Sequence, residues 1–158
     1  SIRVGWLHDS NLVARKLGDW PRYLCASPEY IDRHGMPESP AQLTEHEWII
    51  FTILPTPFQW TFTRNRREQR VQVQGRLRCN NAEAVRASLL AGAGIGAQAG
   101  FMVKEDIDAG RLVHLLPDWD CGAVGMYAVY QDRHYPQARV RLFIDYIRNA
   151  STALEMAG

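Results

Sequence analysis

The chain has 158 residues, of which 46% are hydrophobic and 22% are charged, and its formal net charge is +1. This length can bury a core in one or two small domains. The near-zero charge does not favour a nucleic-acid-binding surface. No apolar run approaches the roughly 18 residues of a membrane span, and the first residues show no signal-peptide pattern.

The beginning of the chain predicts strands and short helices separated by breaks. Strands are expected at 2–5, 12–17 and 22–26, with a break over Gly18–Pro21 that could be an inter-domain crossing. Ser27 and Pro28 predict a capped helix that ends near His34. A second short helix is expected from Ser39 to about Glu45, and a buried strand follows at 48–51.

The next segment predicts a β-hairpin. Apolar and polar residues alternate over 59–63 and 70–74, and the charged residues 64–69 join the two runs. The hairpin tip carries a basic cluster: Arg64, Arg66, Arg67 and Arg70. A solvent-exposed tip is the favoured interpretation, because Glu68 interrupts the positive charge and no aromatic residues alternate with the arginines as in a DNA-binding surface.

The segment from Gly75 to Gly110 predicts a strand, a capped helix, a strand and a second helix. Either Asn80 or Asn81 can cap the first helix, and Glu83 stands three residues after Asn80, which is the spacing of a capping box. Gly92 and Gly94 end this helix, and the buried strand 95–97 and a helix at 101–109 follow. Open α/β sheets bind small molecules at such a helix start, so this segment favours a ligand-sensing cleft.

The end of the chain predicts strands at 112–116 and 124–130 and a last helix over about 136–149. One face of this helix carries four apolar residues: Val140, Phe143, Ile144 and Ile147. The alternation of strands and helices predicts an open α/β sheet, in which the two ends of the chain could form one lobe and the middle another.

Cysteine and histidine positions suggest neither a metal site nor an enzyme. The three cysteines lie far apart, at Cys25, Cys79 and Cys121. Reduced, mostly buried thiols are the favoured interpretation, and a thiol sensor is the alternative. No two of the five histidines are three to five residues apart. The neighbouring His8, Asp9 and Ser10 lie on a predicted loop without a nucleophile elbow, so no catalytic activity is expected.

Several segments resemble the effector-binding domain of LysR-type transcriptional regulators. They are IRVGWLHDSNLVARKLG at the start, RYLCASPEYIDRHGMPESPAQLTEHEWI, GRLRCNNAEAVRASLLAGAGIGAQ, GRLVHLLPDW and YAVYQDRHYPQARVRLFIDYI. They occur in the family's order and cover nearly the whole chain. The resemblance implies an α/β fold of the type II periplasmic-binding-protein kind, with a small-molecule effector held between two lobes.

The resemblance also implies an organisation. The first lobe is expected at 1–18 and 132–158 and is incomplete, and the second lobe is expected at 19–131. A winged helix-turn-helix domain, absent from this sequence, would contact DNA. The regulator is expected to be a cytoplasmic homo-oligomer without a cofactor or metal ion. The alternatives are a solute-binding protein of a transport system and a lyase similar to prephenate dehydratase.

The candidate effector-binding residues are Arg3, Gly5, Phe51, Thr52, Ile53, Asn80, Asn81 and Gln98. Where the family has apolar residues and proline, this chain has Ala97–Gly100, so Gln98 places an amide where an effector could be touched. Arg3 could pair with a carboxylate, the helix start offers partial positive charge, and Phe51 and Ile53 could form an apolar wall. Purely structural roles are the alternatives: an ion pair for Arg3, a helix cap for the asparagines and core packing for Phe51.

Overall fold

The computed structural model describes residues 2–5, 13–130, 142 and 145–147. The chain divides into two compact units, one of residues 1–20 and 124–158 and the other of residues 21–123. The strands are β1 (Ile2–Val4), β2 (Val13–Ala26), β3 (Ile50–Phe51), β4 (Gln59–Arg64), β5 (Arg67–Gln72), β6 (Arg78–Cys79), β7 (Gly96–Ala99), β8 (Val113–His114) and β9 (Ala123–Tyr130). The α-helices are α1 (Pro28–His34), α2 (Ala82–Leu90) and α3 (Gly100–Asp108), and a 3₁₀ helix spans Pro40–Glu45. None of the helices in this part of the chain is long and apolar enough to cross a membrane.

The first unit is built on strand pairing. β9 pairs antiparallel with β1 and lies between β1 and β2. Leu17 and Ala128 form a small buried cluster, against which Ile147 packs. Residues 142 and 145–147 are helical, as predicted for the last helix. The other apolar residues of that predicted face, Val140, Phe143 and Ile144, lie outside the described residues.

The predicted break at Gly18–Pro21 is wrong, because β2 runs without interruption through 14 residues. Proline fixes φ near the extended range, so it can stand in a strand wherever its missing N–H group is not needed. The antiparallel pairing of β2 with β7 begins at the next residue, where Arg22 stands opposite Ala99. The boundary between the two compact units falls immediately before Pro21.

The second unit has its core between short strands and helices. β2 pairs antiparallel with β7 and β8, β3 pairs parallel with β6, and β4 and β5 form a hairpin. The largest fully buried side chains include Trp48, Tyr30 and Phe62. The Trp48 indole nitrogen donates a hydrogen bond to Leu43 O at 3.1 Å, which satisfies the polar atom of this buried ring.

The first helices form as predicted. Ser27 caps α1, since its hydroxyl oxygen accepts a hydrogen bond from Tyr30 N at 3.1 Å, and Pro28 occupies the first turn. The predicted second helix is the 3₁₀ helix, with Pro40 at its first position.

The hairpin is confirmed, but its connection is shorter than predicted. Only Asn65 and Arg66 form the turn, with φ values of 51° and 64°, so the strands extend to Arg64 and from Arg67. A two-residue turn with positive φ at both positions matches the twist of the flanking strands. The charged residues near the tip are exposed, and this hides the apolar alternation by which a strand is recognised.

Candidate functional site

Two parallel strands of the second unit end side by side. In β3 and β6, Ile50 stands opposite Arg78 and Phe51 opposite Cys79. Both the backbone N–H and the hydroxyl group of Thr52 donate hydrogen bonds to Cys79 O, at 2.8 and 3.1 Å. The exposed Thr52 is thereby held next to the strand end from which α2 begins.

Asn81 caps α2. Its side-chain oxygen accepts hydrogen bonds from Glu83 N at 2.8 Å and Ala84 N at 3.2 Å. The predicted capping box between Asn80 and Glu83 is therefore wrong, because Glu83 is the second residue of the helix. Its carboxylate instead lies 3.6 Å from an Arg86 guanidinium nitrogen. The two N–H donors of the Asn81 amide have no acceptor among the described residues, and the side chain is exposed.

Gln98 fixes the first turn of α2 from the neighbouring strand. It is 3% exposed on β7, and its amide nitrogen donates a hydrogen bond to Ala82 O at 3.1 Å. Val85 and Leu89 of α2 are buried in the same cluster as Cys25 and Val103, so the helix is anchored on its inner face. The observed bond gives Gln98 a positioning role, and direct contact with an effector stays a prediction.

A buried carboxylate ties α2 to α3. Asp106 is fully buried, and its two oxygens accept hydrogen bonds from Arg86 Nε at 2.6 Å and Arg111 Nε at 2.7 Å. The hydrogen bond from Arg86 is the main cause that lowers the pKa of Asp106 below its ordinary value, against the opposing effect of burial. Sequence analysis missed this network, because Arg86 lies 20 residues before Asp106 and no local pattern joins them.

Apolar side chains lie next to the strand ends. Phe51 is half-buried and packs against the cluster that anchors α2, whereas Ile53 is 55% exposed. Leu77, which precedes β6, is 38% exposed. The edge therefore combines amide and hydroxyl groups with exposed apolar surface, which is the mixture found in small-molecule sites.

Six of the eight predicted site residues belong to this edge of the second unit: Phe51, Thr52, Ile53, Asn80, Asn81 and Gln98. The other two belong to the first unit. Arg3 is exposed on β1 opposite Tyr127, and Gly5 has a φ of 104°, with its N–H donating to Gly125 O at 2.8 Å. That Arg3 and Gly5 join the others around one ligand stays a prediction.

The cysteines differ in their surroundings. Burial raises the pKa of Cys25 and of Cys121 to about 12, which keeps both as thiols at neutral pH. Cys79, at the end of β6, is half-buried. Within the described residues, no group of three side chains suited to a metal ion is found.

The sequence matches the family model of the LysR substrate binding domain over residues 1–152. The chain belongs to this family. It is 43% identical over 150 residues to the HTH-type transcriptional regulator PtxR of Pseudomonas aeruginosa, and the match covers 94% of this chain and 47% of PtxR. It is 33% identical over 144 residues to the HTH-type transcriptional activator AaeR of Escherichia coli, and the match covers 91% of this chain and 47% of AaeR. The chain thus spans about half the length of the curated relatives it matches.

Solved structures confirm the predicted fold class. The regulatory domain of CrgA, a LysR-type regulator from Neisseria meningitidis, is 29% identical with a TM-score of 0.77, and the match covers 94% of this chain and 74% of that one. The regulatory domain of AphB from Vibrio vulnificus is 36% identical with a TM-score of 0.71, over 92% and 72% of the two chains. The fold is therefore the periplasmic-binding-protein-like fold of LysR-type effector domains. These relatives are transcriptional regulators, a family without enzymatic activity, and they give no support to a transport protein.

Proposed function

We propose that this domain senses a small organic anion for a LysR-type transcriptional regulator. The regulator would work in the cytoplasm as a homo-oligomer and contact DNA through a winged helix-turn-helix domain outside this sequence. Effector binding would shift the population between two arrangements of the lobes, and this shift would be passed to the DNA-binding domain.

The observation that carries the proposal is the start of α2. The exposed Asn81 caps this helix with its oxygen and leaves two amide donors for a ligand. A helix start carries partial positive charge, which favours a carboxylate over a cation. Thr52 adds a hydroxyl group held at the same edge, and Ile53 adds exposed apolar surface. Family membership supports a ligand role for this edge.

The effector class can be tested by thermal unfolding of the chain with small carboxylates, amines matched to them in size, amino acids and uncharged aromatic compounds. A ligand at about 100 times its Kd should stabilise the folded state by roughly 2.7 kcal/mol. We expect carboxylates to raise the Tm and matched amines to leave it unchanged. Stabilisation by the amines alone would contradict the proposed anion preference.

Substitutions of Asn81 separate the cap from the ligand contact. Asn81→Asp keeps an excellent capping oxygen but replaces the amide donors by negative charge, and Asn81→Ser keeps a cap without the charge. For Asn81→Asp we expect the Kd of the carboxylate to rise about tenfold or more, since hydrogen bonds to charged groups are worth roughly 1.5–3 kcal/mol. Calorimetric titration would measure this, and urea unfolding should show nearly unchanged stability.

Asn65→Asp is the matched control, because Asn65 is an exposed asparagine in the hairpin turn, where aspartate also tolerates a positive φ. It should leave the Kd unchanged. If Asn81→Asp folds normally and binds the carboxylate as tightly as the Asn65→Asp control, the start of α2 is not part of the site.

A further inference from the structure

The β4–β5 hairpin carries a cavity of about 510 Å³. Its polar lining comes from two cross-strand pairs, Gln59 opposite Gln72 and Thr61 opposite Arg70, and from Thr56. All five residues are exposed. Cavities of roughly 300–1,000 Å³ are the size that small organic ligands occupy.

The chemistry of the lining favours an anion that also carries hydroxyl groups. Arg70 supplies a guanidinium group, which can pair with a carboxylate or phosphate through two parallel hydrogen bonds. Two amides and two threonine hydroxyl groups can each donate and accept. No carboxylate is among the residues that line the cavity, so nothing there neutralises Arg70 or repels a negative charge.

The hairpin strands that carry the cavity are anchored to the core by the residues between the polar pairs. Trp60 and Val71 stand opposite each other between the two polar pairs, and both are buried. Side chains alternate between the two faces of a strand, so the Trp60 ring lies on the core face, where it packs against the Trp48 ring with centroids 5.4 Å apart. The core thereby holds the two strands beneath the polar face in place.

We propose that this cavity is a second binding site, for a small hydroxylated anion held by Arg70 and the two glutamines. The site goes beyond the proposed function, since none of its lining residues belongs to the edge at Thr52 and Asn81. A regulator with two such sites could respond to two metabolites, or to two concentrations of one.

The experiment is an NMR titration of the full 158-residue chain with glucose 6-phosphate, glucose and inorganic phosphate. Glucose 6-phosphate should give saturable shifts at the backbone amides of Thr61, Arg70 and Gln72. Glucose and phosphate each carry half of the recognised chemistry and should bind at least about tenfold more weakly, because a charged hydrogen-bonded contact is lost in one case and the hydroxyl contacts in the other.

Arg70→Gln should weaken glucose 6-phosphate binding about tenfold or more. Arg67→Gln is the matched control, because Arg67 is an exposed arginine of the same strand that does not line the cavity, and it should change the affinity less than twofold. An equal loss in both variants would overturn the site in favour of diffuse attraction to the basic hairpin. Inorganic phosphate that binds as tightly as glucose 6-phosphate would also overturn the site. The absence of a saturable shift at about 10 mM glucose 6-phosphate, a concentration that detects even weak binding, would do the same.

If the shifts appeared at Asn81 and were abolished by Asn81→Asp, the probe would occupy the candidate effector site and the second site would be rejected. Conversely, if glucose 6-phosphate still shifts the hairpin amides of the Asn81→Asp variant, the second site is supported whether or not the proposed function is correct. The two proposals therefore fail independently.

Discussion

The second unit contains two nine-residue helices that begin differently. α2 begins at an exposed asparagine whose side chain caps two backbone N–H groups. α3 begins after Ala99, which is 8% exposed and makes no side-chain cap. A Cβ atom on the buried Gly100 would lie 3.2 Å from the Tyr23 ring and 3.3 Å from Pro21 O. The start of α3 is thus closed by packing against β2.

This difference shows that a helix after a strand does not by itself make a site. Both starts carry the partial positive charge of a helix end. The start at Asn81 is open and polar, whereas the start at Gly100 is closed and apolar, so only the first can meet a solvent-borne ligand. The residue pairs Asn80–Asn81 and Ala99–Gly100 already distinguish the two in the sequence.

Thiol reactivity should give the largest contrast between the two regions. Cys79 precedes the open helix start and is half-buried, whereas Cys25 is fully buried beside β7, opposite Gly96. With a pKa of about 12, Cys25 carries a thiolate fraction on the order of 10⁻⁴ at pH 8. Iodoacetamide labelling followed by mass spectrometry should therefore modify Cys79 first. Cys25 should react more slowly by about two orders of magnitude or more, because its thiol is both buried and protonated.

In denaturant the same two thiols should react at similar rates, which serves as the control. If Cys25 of the native chain is alkylated as fast as Cys79, the interior beside β7 opens often, and the contrast between a closed and an open region fails.

Removing the buried carboxylate should give the next largest effect, since Asp106 joins the two helices. We expect Asp106→Asn to lower the free energy of unfolding by about 2 kcal/mol, below the full loss for a buried ion pair because both arginines are partly exposed. Urea unfolding at pH 7 measures this. Glu105→Gln is the control, since Glu105 is an exposed neighbour with a long 3.9 Å contact to Arg111.

The difference in stability between the wild type and Asp106→Asn should also depend on pH. Because the pKa of Asp106 is lower in the folded state than its ordinary value of 3.8, its carboxylate stabilises the fold above that value. This stability is lost as the pH falls below about 4 and the folded-state carboxyl group takes up a proton. The stability gap between the wild type and Asp106→Asn should narrow there. A gap that stays constant down to pH 2 (about two units below the ordinary pKa) would mean that the charge of Asp106 contributes nothing.

Local patterns predicted much of the fold. Glycines, prolines and caps placed α1, α2 and α3 within a residue or two, because these signals act over one helical turn. The expected break before Arg22 failed, since a proline signal cannot show whether a partner strand needs the missing N–H. The predicted hairpin connection over 64–69 was too long, because exposed charged residues hide the strand pattern near a hairpin tip. The observed turn is Asn65–Arg66 alone.

For the candidate site, the sequence indicated the α2 start but not how it is held. Either asparagine satisfies the cap pattern, and only the backbone geometry selects Asn81. The bond from Gln98 to Ala82 and the pairing of Asp106 with Arg86 join residues 16 and 20 positions apart, which no local pattern predicts. The hairpin cavity likewise depends on strand register, in which a shift of one residue would turn Thr61 and Arg70 inward.

The smallest effect should come from the cap itself. Asn81→Ala removes the oxygen that accepts from Glu83 N and Ala84 N, and such losses cost about 1 kcal/mol. Asn80→Ala is the control, because this exposed neighbour does not cap the helix and should change the free energy of unfolding by less than about 0.5 kcal/mol. If the two alanine variants are equally stable, Asn81 does not distinguish the open helix start from the uncapped start of α3. Carboxylate binding by Asn81→Ala would then be the remaining test of this residue, and the proposed function predicts that it is weakened.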